Sequence, residues 1–158
     1  MPSDPPVIDG PRILDVLAQR IGYLFAKLHQ RWVAESVTVL RDAGLGLSAL
    51  HFGALSAIQA AGPMSQHALG EYVKKDRTTV VAMVDELEEA GLVERRRNPA
   101  DRRAYALEVT ETGSSWLAQA GPLLSAAEDR MLSELDAAER EQLLNLLQRV
   151  LFSPSPPA

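Results

Sequence analysis

The first quarter of the chain has the spacing of apolar residues that is typical of an amphipathic helix. Apolar side chains recur there every three or four positions: Ile13, Leu14, Leu17, Ile21, Leu24, Phe25, Leu28 and Trp32. The dipeptide Gly10-Pro11 opens this pattern, and Gly44 and Gly46 supply stop signals after it. The pattern predicts one long helix from Pro11 to Ala43.

Three shorter helices are predicted next from their capping residues. Ser48 precedes a helix that ends at Gly62, and Ser65 precedes a short helix that ends in a polar turn. Asp76 then caps a third helix, which ends at Gly91, a residue type that readily adopts positive φ. The inward positions of this third helix are Val80, Met83, Val84 and Leu87.

Beyond this helix the period changes from that of a helix to that of a β-hairpin. Two short extended runs flank the turn residues 98–101. Thr110 then caps a helix that reaches about Leu132, and Asp136 with Glu139 forms an acidic capping box for a last helix. The predicted fold is all-α with a small β-wing.

Composition narrows the class of protein. A chain of 158 residues with 46% apolar residues is long enough for one packed domain. It has no cysteine, no apolar run of membrane-spanning length and no secretory signal pattern at its start, so we expect a cytoplasmic protein that is not inserted in a membrane. No phosphate loop, nucleophile elbow or paired-carboxylate motif is present, so we predict no enzymatic activity, no catalytic residue and no cofactor.

The net charge of −5 conceals an uneven distribution. Residues 107–158 carry three basic and eight acidic side chains, whereas residues 1–62 and 63–106 are each balanced. Within the balanced middle segment, five arginines crowd into the hairpin: Arg95, Arg96, Arg97, Arg102 and Arg103. A local basic cluster of this kind is what phosphate binding requires.

Two helices joined by a tight turn and followed by a basic hairpin form a winged helix-turn-helix pattern, which predicts binding to double-stranded DNA. A recognition helix enters the major groove with its first turn, which here offers Arg77, Thr78 and Thr79 for base contacts. Arginines of the hairpin, among them Arg95, Arg97, Arg102 and Arg103, suit the adjacent minor groove. The candidate phosphate contacts at the turn and at the preceding helix start are Ser65, Gln66, Lys74 and Lys75.

From Leu47 to about Leu117 these residues resemble the multiple antibiotic resistance regulator (MarR) family. The resemblance rests on the helix-turn-helix from Ser65 to Gly91 and on the stretch ELEEAGLVERRRNPADRRAYALEVTETG. It implies a homodimer joined through its terminal helices and a ligand-responsive repressor of a pseudo-palindromic operator. It also implies that Asp101 orients Arg103 for the minor groove.

The resemblance further implies a division of the chain. Residues 11–152 form a single domain, in which 11–46 and 112–152 are dimerisation helices and 47–111 are the winged helix-turn-helix. Residues 1–10 and 153–158 are expected to be disordered tails. The family places a small-molecule effector pocket between the dimer helices and the DNA-binding part, and the residues that could line it here are His29, Trp32, His51, Phe52, Leu55 and Trp116.

The chain departs from the family pattern at three positions. Ala82 and Glu86 occupy recognition-helix positions that are often basic in relatives, so base preference does not carry over. Lys74 occupies a turn position that is often glycine, which would cost on the order of 1 kcal/mol if the backbone there is left-handed.

Other interpretations of the same residues stay open. The hairpin arginines could form surface ion pairs with Glu94 and Glu108 instead of contacting DNA, and the acidic total suits a protein-interaction module that has lost DNA binding. His29, His51 and His67 lack the spacing of a metal motif, so no metal site is predicted. The operator, the regulated genes, the effector and the choice between repression and activation are not encoded in any pattern that we identify.

Overall fold

The computed structural model describes residues 16–97 and 105–152. Their helices are α1 (Ile21–Asp42), α2 (Ala49–Ala61), α3 (Gln66–Val73), α4 (Arg77–Glu89), α5 (Glu111–Met131) and α6 (Ala137–Phe152). Their strands are β1 (Val93–Arg97) and β2 (Tyr105–Val109). The predicted tails and the hairpin turn at 98–101 lie outside this part of the chain. The predicted class, all-α with a small β-wing, is confirmed.

The long helix that the sequence predicts is interrupted at residues 18–20. Residues 16 and 17 are helical, but the chain then turns, and Arg20 is extended, with φ −103° and ψ 111°. The extended residue interrupts the hydrogen-bond ladder of a continuous helix, so α1 starts at Ile21. Its end agrees with the prediction, because Gly44 and Gly46 follow with φ of 73° and 67°.

The other helix boundaries follow the predicted caps. Ser65 accepts a hydrogen bond from the backbone N–H of Ala68 at 3.1 Å, and Thr110 accepts one from Gly113 at 2.9 Å. Asp136 and Glu139 form the reciprocal capping box, with both side chain to backbone distances at 2.9 Å. These local bonds fix where the chain changes direction between helices.

One core holds the winged unit together. Helix α2 packs against α3, α5 and β2, while α4 packs against α3 and β1. The fully buried side chains that join these elements include Leu40, Leu55, Ile58, Leu69, Val84, Leu87 and Leu107. Helix α1 lies along α5, so the dimer helices predicted from the two ends of the sequence are neighbours in the same protomer.

The two strands form an antiparallel hairpin in which Val93 pairs with Val109 and Arg97 pairs with Tyr105. Met64, between α2 and α3, adds a short bridge to the free edge of β2 through two hydrogen bonds with Leu107, at 3.2 and 2.7 Å. The wing is therefore fastened to the helix-turn-helix at its base. Within the described residues, no helix is long and apolar enough to cross a bilayer.

Candidate nucleic-acid interface

The start of α4 is fixed by its capping residue. The carboxylate of Asp76 accepts the backbone N–H of Thr79 at 3.0 Å and the hydroxyl of Thr79 at 2.6 Å. The hydroxyl bond, followed by the backbone bond, lowers the pKa of Asp76 below its ordinary value of 3.8. Because the Thr79 hydroxyl hydrogen is given to Asp76, the exposed side chains Arg77 and Thr78 are the ones left to face a ligand.

Lys74, in the turn between α3 and α4, has the left-handed backbone that was considered for it from the sequence. Lys74 has φ 51° and ψ 46°, a conformation in which lysine is less favourable than glycine. Its ammonium lies 3.7 Å from Glu71, and both side chains are exposed. Lys75, the next residue, is also exposed. The turn therefore presents two amines beside the first residue of α4.

An open groove of about 630 Å³ lies between α3 and α4. Its polar lining combines Gln66, His67, Glu71, Lys75, Asp76 and Arg77. The side-chain nitrogen of Gln66 is buried and has no hydrogen-bond partner among the described residues. A donor of this kind, next to two cationic side chains and two helix N-termini, suits a phosphate oxygen.

Arg95 is held on the body of the domain. Its guanidinium lies 2.6 Å from Asp85 and also pairs with Glu88, both on α4, and its side chain is only 27% exposed. Arg95 was predicted to reach DNA, whereas here both of its terminal nitrogens pair with carboxylates of α4. Arg95 instead anchors the base of the wing to the recognition helix.

Arg96 matches the alternative interpretation of the hairpin. It pairs with Glu94 at 2.6 Å and with Glu108 at 3.2 Å, and the hydrogen bond to Glu94 is the main cause that raises its pKa. Arg97 is exposed at the far end of β1. Asp101, Arg102 and Arg103 lie outside the described residues, so their predicted contacts stay predictions.

In the described part of the chain, the six residues predicted to line an effector pocket lie in three different surroundings. Leu55 is fully buried in the core, and the indole N–H of Trp116 donates to the carbonyl of Leu45 at 3.1 Å. Phe52 packs against Trp116, with ring centroids 6.3 Å apart. These three side chains pack within the protomer, and their role in binding an effector stays a prediction.

The two remaining parts of the predicted pocket are separate from each other. His29 and Trp32 line an open apolar groove of about 640 Å³ between α1, α5 and α6. His51 lies elsewhere, with its Nε2 atom 2.9 Å from a carboxylate oxygen of Glu86 on α4.

Sequence reasoning missed the partners of Arg95 and His51. Asp85 and Glu88 are three residues apart on α4, a spacing that places them on one helix face and that signals a shared cation. Glu86 was noted as a departure from the family pattern, but no local spacing connects it with His51, which is 35 positions away. Only the tertiary structure brings His51 on α2 and Glu86 on α4 together.

Comparison with known proteins places this geometry in a family. The model of the MarR family matches residues 45–104. The HTH-type transcriptional repressor NicR of Pseudomonas putida is 30% identical over 152 residues, which cover 96% of this chain and 93% of that protein. The chain belongs to the MarR family.

Solved structures of MarR-like proteins share the fold. The transcriptional repressor CouR bound to a 23-mer DNA duplex is 29% identical with a TM-score of 0.79, over 87% of this chain and 96% of that one. CouR from Rhodococcus jostii RHA1 bound to p-coumaroyl-CoA is 27% identical with a TM-score of 0.74, over 89% and 98%. The family and these relatives are transcription regulators, which agrees with the predicted class of function.

Proposed function

We propose that this MarR-family chain is a dimeric, sequence-specific DNA-binding repressor. The observation that carries the proposal is the exposed start of α4, where Arg77 and Thr78 stand beside Lys75 at a capped helix N-terminus. An arginine there can bridge O6 and N7 of guanine, and the threonine offers a hydroxyl and a methyl group to base edges. The relative CouR, which has the same fold, is described as bound to a DNA duplex.

The proposed contacts fall into two classes. Arg77, Thr78 and the methyl group of Thr79 are assigned to bases in the major groove. The remaining contacts are assigned to phosphates or to the minor groove: Ser65, Gln66, Lys74, Lys75, Arg97, Arg102 and Arg103, with Asp101 orienting Arg103. Arg95 is left out because α4 already binds it.

The proposed dimer is supported by the surface of α6. None of its residues is buried in the protomer, and three large apolar side chains near its end are more than two-thirds exposed: Val150, Leu151 and Phe152. Helix α1 adds Ile21, which is 68% exposed. An apolar surface of this size on a monomer is typical of an interface. A two-fold dimer through these helices would present two recognition helices about 34 Å apart, one helical turn of DNA.

Selection of bound sequences from a pool of random duplexes tests the proposal. We expect a pseudo-palindromic site, with affinity that falls steeply as salt rises because phosphate contacts release counterions. Arg77→Ala should weaken binding to the selected duplex by about 1 to 3 kcal/mol and relax base preference at one position in each half-site. Lys75→Ala should weaken binding to all duplexes alike and lower the salt slope by about one unit for each copy of the contact.

A protein-interaction module that has lost DNA binding would behave differently. It would enrich no sequence, and any retention of duplex would be equal for the parent chain and for Arg77→Ala. That result would overturn the DNA proposal and favour the competing function that the acidic total suggests.

A small-molecule effector forms the second part of the proposal. The relative CouR is described with p-coumaroyl-CoA bound, and the groove at His29 and Trp32 is an apolar opening next to the proposed dimer surface. A ligand in this groove releases DNA only if it binds more tightly to a form of the dimer whose recognition helices are not spaced to fit successive major grooves. Titration of the DNA complex with p-coumaroyl-CoA and with free aromatic acids tests this: release by one of them supports it, and no release by any contradicts it for this ligand class.

A further inference from the structure

His51 connects the start of α2 with the recognition helix. Its Nδ1 atom lies 2.8 Å from the hydroxyl oxygen of Ser48 and 3.3 Å from the backbone nitrogen of Ser48. On the other side of the ring, Nε2 lies 2.9 Å from Glu86 on α4. The His51 side chain is 11% exposed and that of Glu86 is 57% exposed, so a nearly buried imidazole holds a carboxylate at the surface.

The ring has a partner in each of its protonation states, but protonation breaks the capping bond from the Ser48 N–H to Nδ1. The backbone N–H of Ser48 can only donate, so in the neutral ring Nδ1 accepts and the hydrogen is on Nε2, toward Glu86. In the cationic ring, Nδ1–H can instead donate to the Ser48 hydroxyl, and Nε2–H faces an ionised partner. In the described part of the chain, Nε2 makes no hydrogen bond of good geometry. Its distance from Glu86 is that of an ion pair, which both groups form when the ring is protonated. Coulombic attraction, unlike a hydrogen bond, does not depend on the alignment of the donor hydrogen.

Glu86 shares a helix face with the residues that we assign to base contacts. Thr78, Ala82 and Glu86 follow one another at intervals of four, and a shallow groove of about 340 Å³ is lined by all three together with His51. An unpaired carboxylate on this face would repel the phosphates of an approaching duplex. A cationic His51 cancels that charge.

Two other ionisable groups bear on this pair or on the same pH range. Arg41, in the last turn of α1, lines a second cavity of about 340 Å³ on the far side of His51 and Glu86, but its guanidinium pairs with Asp42 at 3.1 Å. His67 is exposed and lines the groove between α3 and α4, so it is the second histidine that the test must separate from His51. The neighbouring acids of α4, Asp85 and Glu88, are bound by Arg95.

We propose that His51 is a positioning residue for DNA recognition, which holds the carboxylate of Glu86 against α2 and neutralises it when protonated. This inference rests on the proposed DNA binding. Histidine is the side chain type that changes charge between about pH 5 and 8, so we expect the affinity for the duplex to rise as the pH falls through this range.

The test measures the dissociation constant of a duplex recovered by the selection described above, at about pH 6 and about pH 8 and at equal ionic strength. The parent chain should bind about three to ten times more tightly at the lower pH, because the neutralised carboxylate no longer repels the phosphates. Glu86→Gln keeps the shape and removes the charge. It should bind at pH 8 about as tightly as the parent binds at pH 6, and its ratio between the two pH values should fall toward one.

Two further variants assign the effect to one histidine. His51→Gln should also lose the pH ratio, and His67→Gln should retain it. If His51→Gln does not fold, Glu86→Gln still tests the inference, because the side chain of Glu86 is largely exposed. The inference is overturned if Glu86→Gln keeps the parent's pH ratio or if His67→Gln loses it. A parent chain that binds no selected duplex at either pH contradicts the proposed function instead.

Discussion

Gly113 occupies the position in α5 where the helix meets Leu92, the residue before β1, and Val109, the last residue of β2. A Cβ atom built there would overlap the carbonyl oxygen of Leu92 and lie 2.9 Å from a methyl group of Val109. The glycine in the sequence Thr-Glu-Thr-Gly is therefore required by close backbone packing, and no positive φ is involved. This contact gives a physical reason for the glycine of the Thr-Glu-Thr-Gly motif, which the sequence offers only as part of a resemblance to the MarR family.

Gly113→Ala should lower the free energy of unfolding by about 1 to 3 kcal/mol, because the backbone must shift to admit a methyl group. Gly53→Ala is the matched control: it lies within α2 and a Cβ there meets nothing within 4 Å. That variant should stabilise the protein by up to about 1 kcal/mol through helix propensity. Urea unfolding of both variants checks the pair, and equal effects would contradict the packing argument.

Asp76 gives a prediction for acid stability. Its folded pKa is lowered by bonds from Thr79, so its contribution is present above the ordinary value of 3.8 and is lost as the pH falls through the lowered folded pKa. Asp76→Asn should therefore melt at a lower temperature than the parent at neutral pH, and the difference should disappear in strong acid. Thr79→Val removes the hydroxyl that donates to Asp76, so in this background the difference in melting temperature at neutral pH should shrink. An unchanged difference would show that the effect does not come from this bond.

At the scale of elements, Arg95 sets how the wing stands on the recognition helix. The end of α4 carries Glu86, Glu88 and Glu89 and has no basic residue in its last turn, an unfavourable arrangement at the negative end of a helix dipole. Arg95 from β1 supplies the missing cation through Asp85 and Glu88. One side chain thus offsets the charge at the end of α4 and orients β1.

Arg95→Gln should destabilise the fold by about 1 kcal/mol and weaken binding to the selected duplex. The salt slope of binding should stay at the parent value, because no phosphate contact is lost. Arg96→Gln is the control, since its own side chain is 62% exposed and its removal should affect stability less. A reduced salt slope in Arg95→Gln would show that Arg95 contacts DNA after all.

Residues that act through local bonds could be predicted from the sequence, and those that act through packing could not. Ser65, Asp76 and Thr110 each cap the helix that was predicted after them, because a cap forms within three residues of itself. The turn before α1 was missed because its residues, Ala18 to Arg20, contain no glycine or proline to break the apolar period. The packing partners of Phe52, Leu55 and Trp116 could not be predicted, because periodicity marks a side chain as inward without saying what it contacts.

At the scale of the whole molecule, the charge and the apolar surface lie in different places. The exposed apolar residues of α1 and α6 gather near the chain ends, while the exposed base- and phosphate-facing residues gather around α3 and α4. The acidic excess of residues 107–158 accordingly lies on helices that we assign to dimerisation. A negative net charge is therefore compatible with a local surface that attracts DNA.

The double variant Val150→Glu/Leu151→Glu tests the dimer. Two-fold symmetry introduces each charge twice, and an unpaired carboxylate in an apolar interface is strongly unfavourable. We expect a folded monomer by sedimentation and loss of high-affinity binding to the selected duplex. Val81→Glu, on α4 and 39% exposed, should sediment as the parent does. A double variant that remains dimeric would place the interface elsewhere.

The two tryptophans of the chain occupy different environments. Trp116 is buried and gives its indole N–H to the carbonyl of Leu45, whereas Trp32 is half-buried and lines the open groove between α1 and α6. Intrinsic fluorescence can therefore separate two events without any added label. With Trp32→Phe the remaining emission reports unfolding of the core, and with Trp116→Phe it reports filling of the groove by a partner helix or a small molecule.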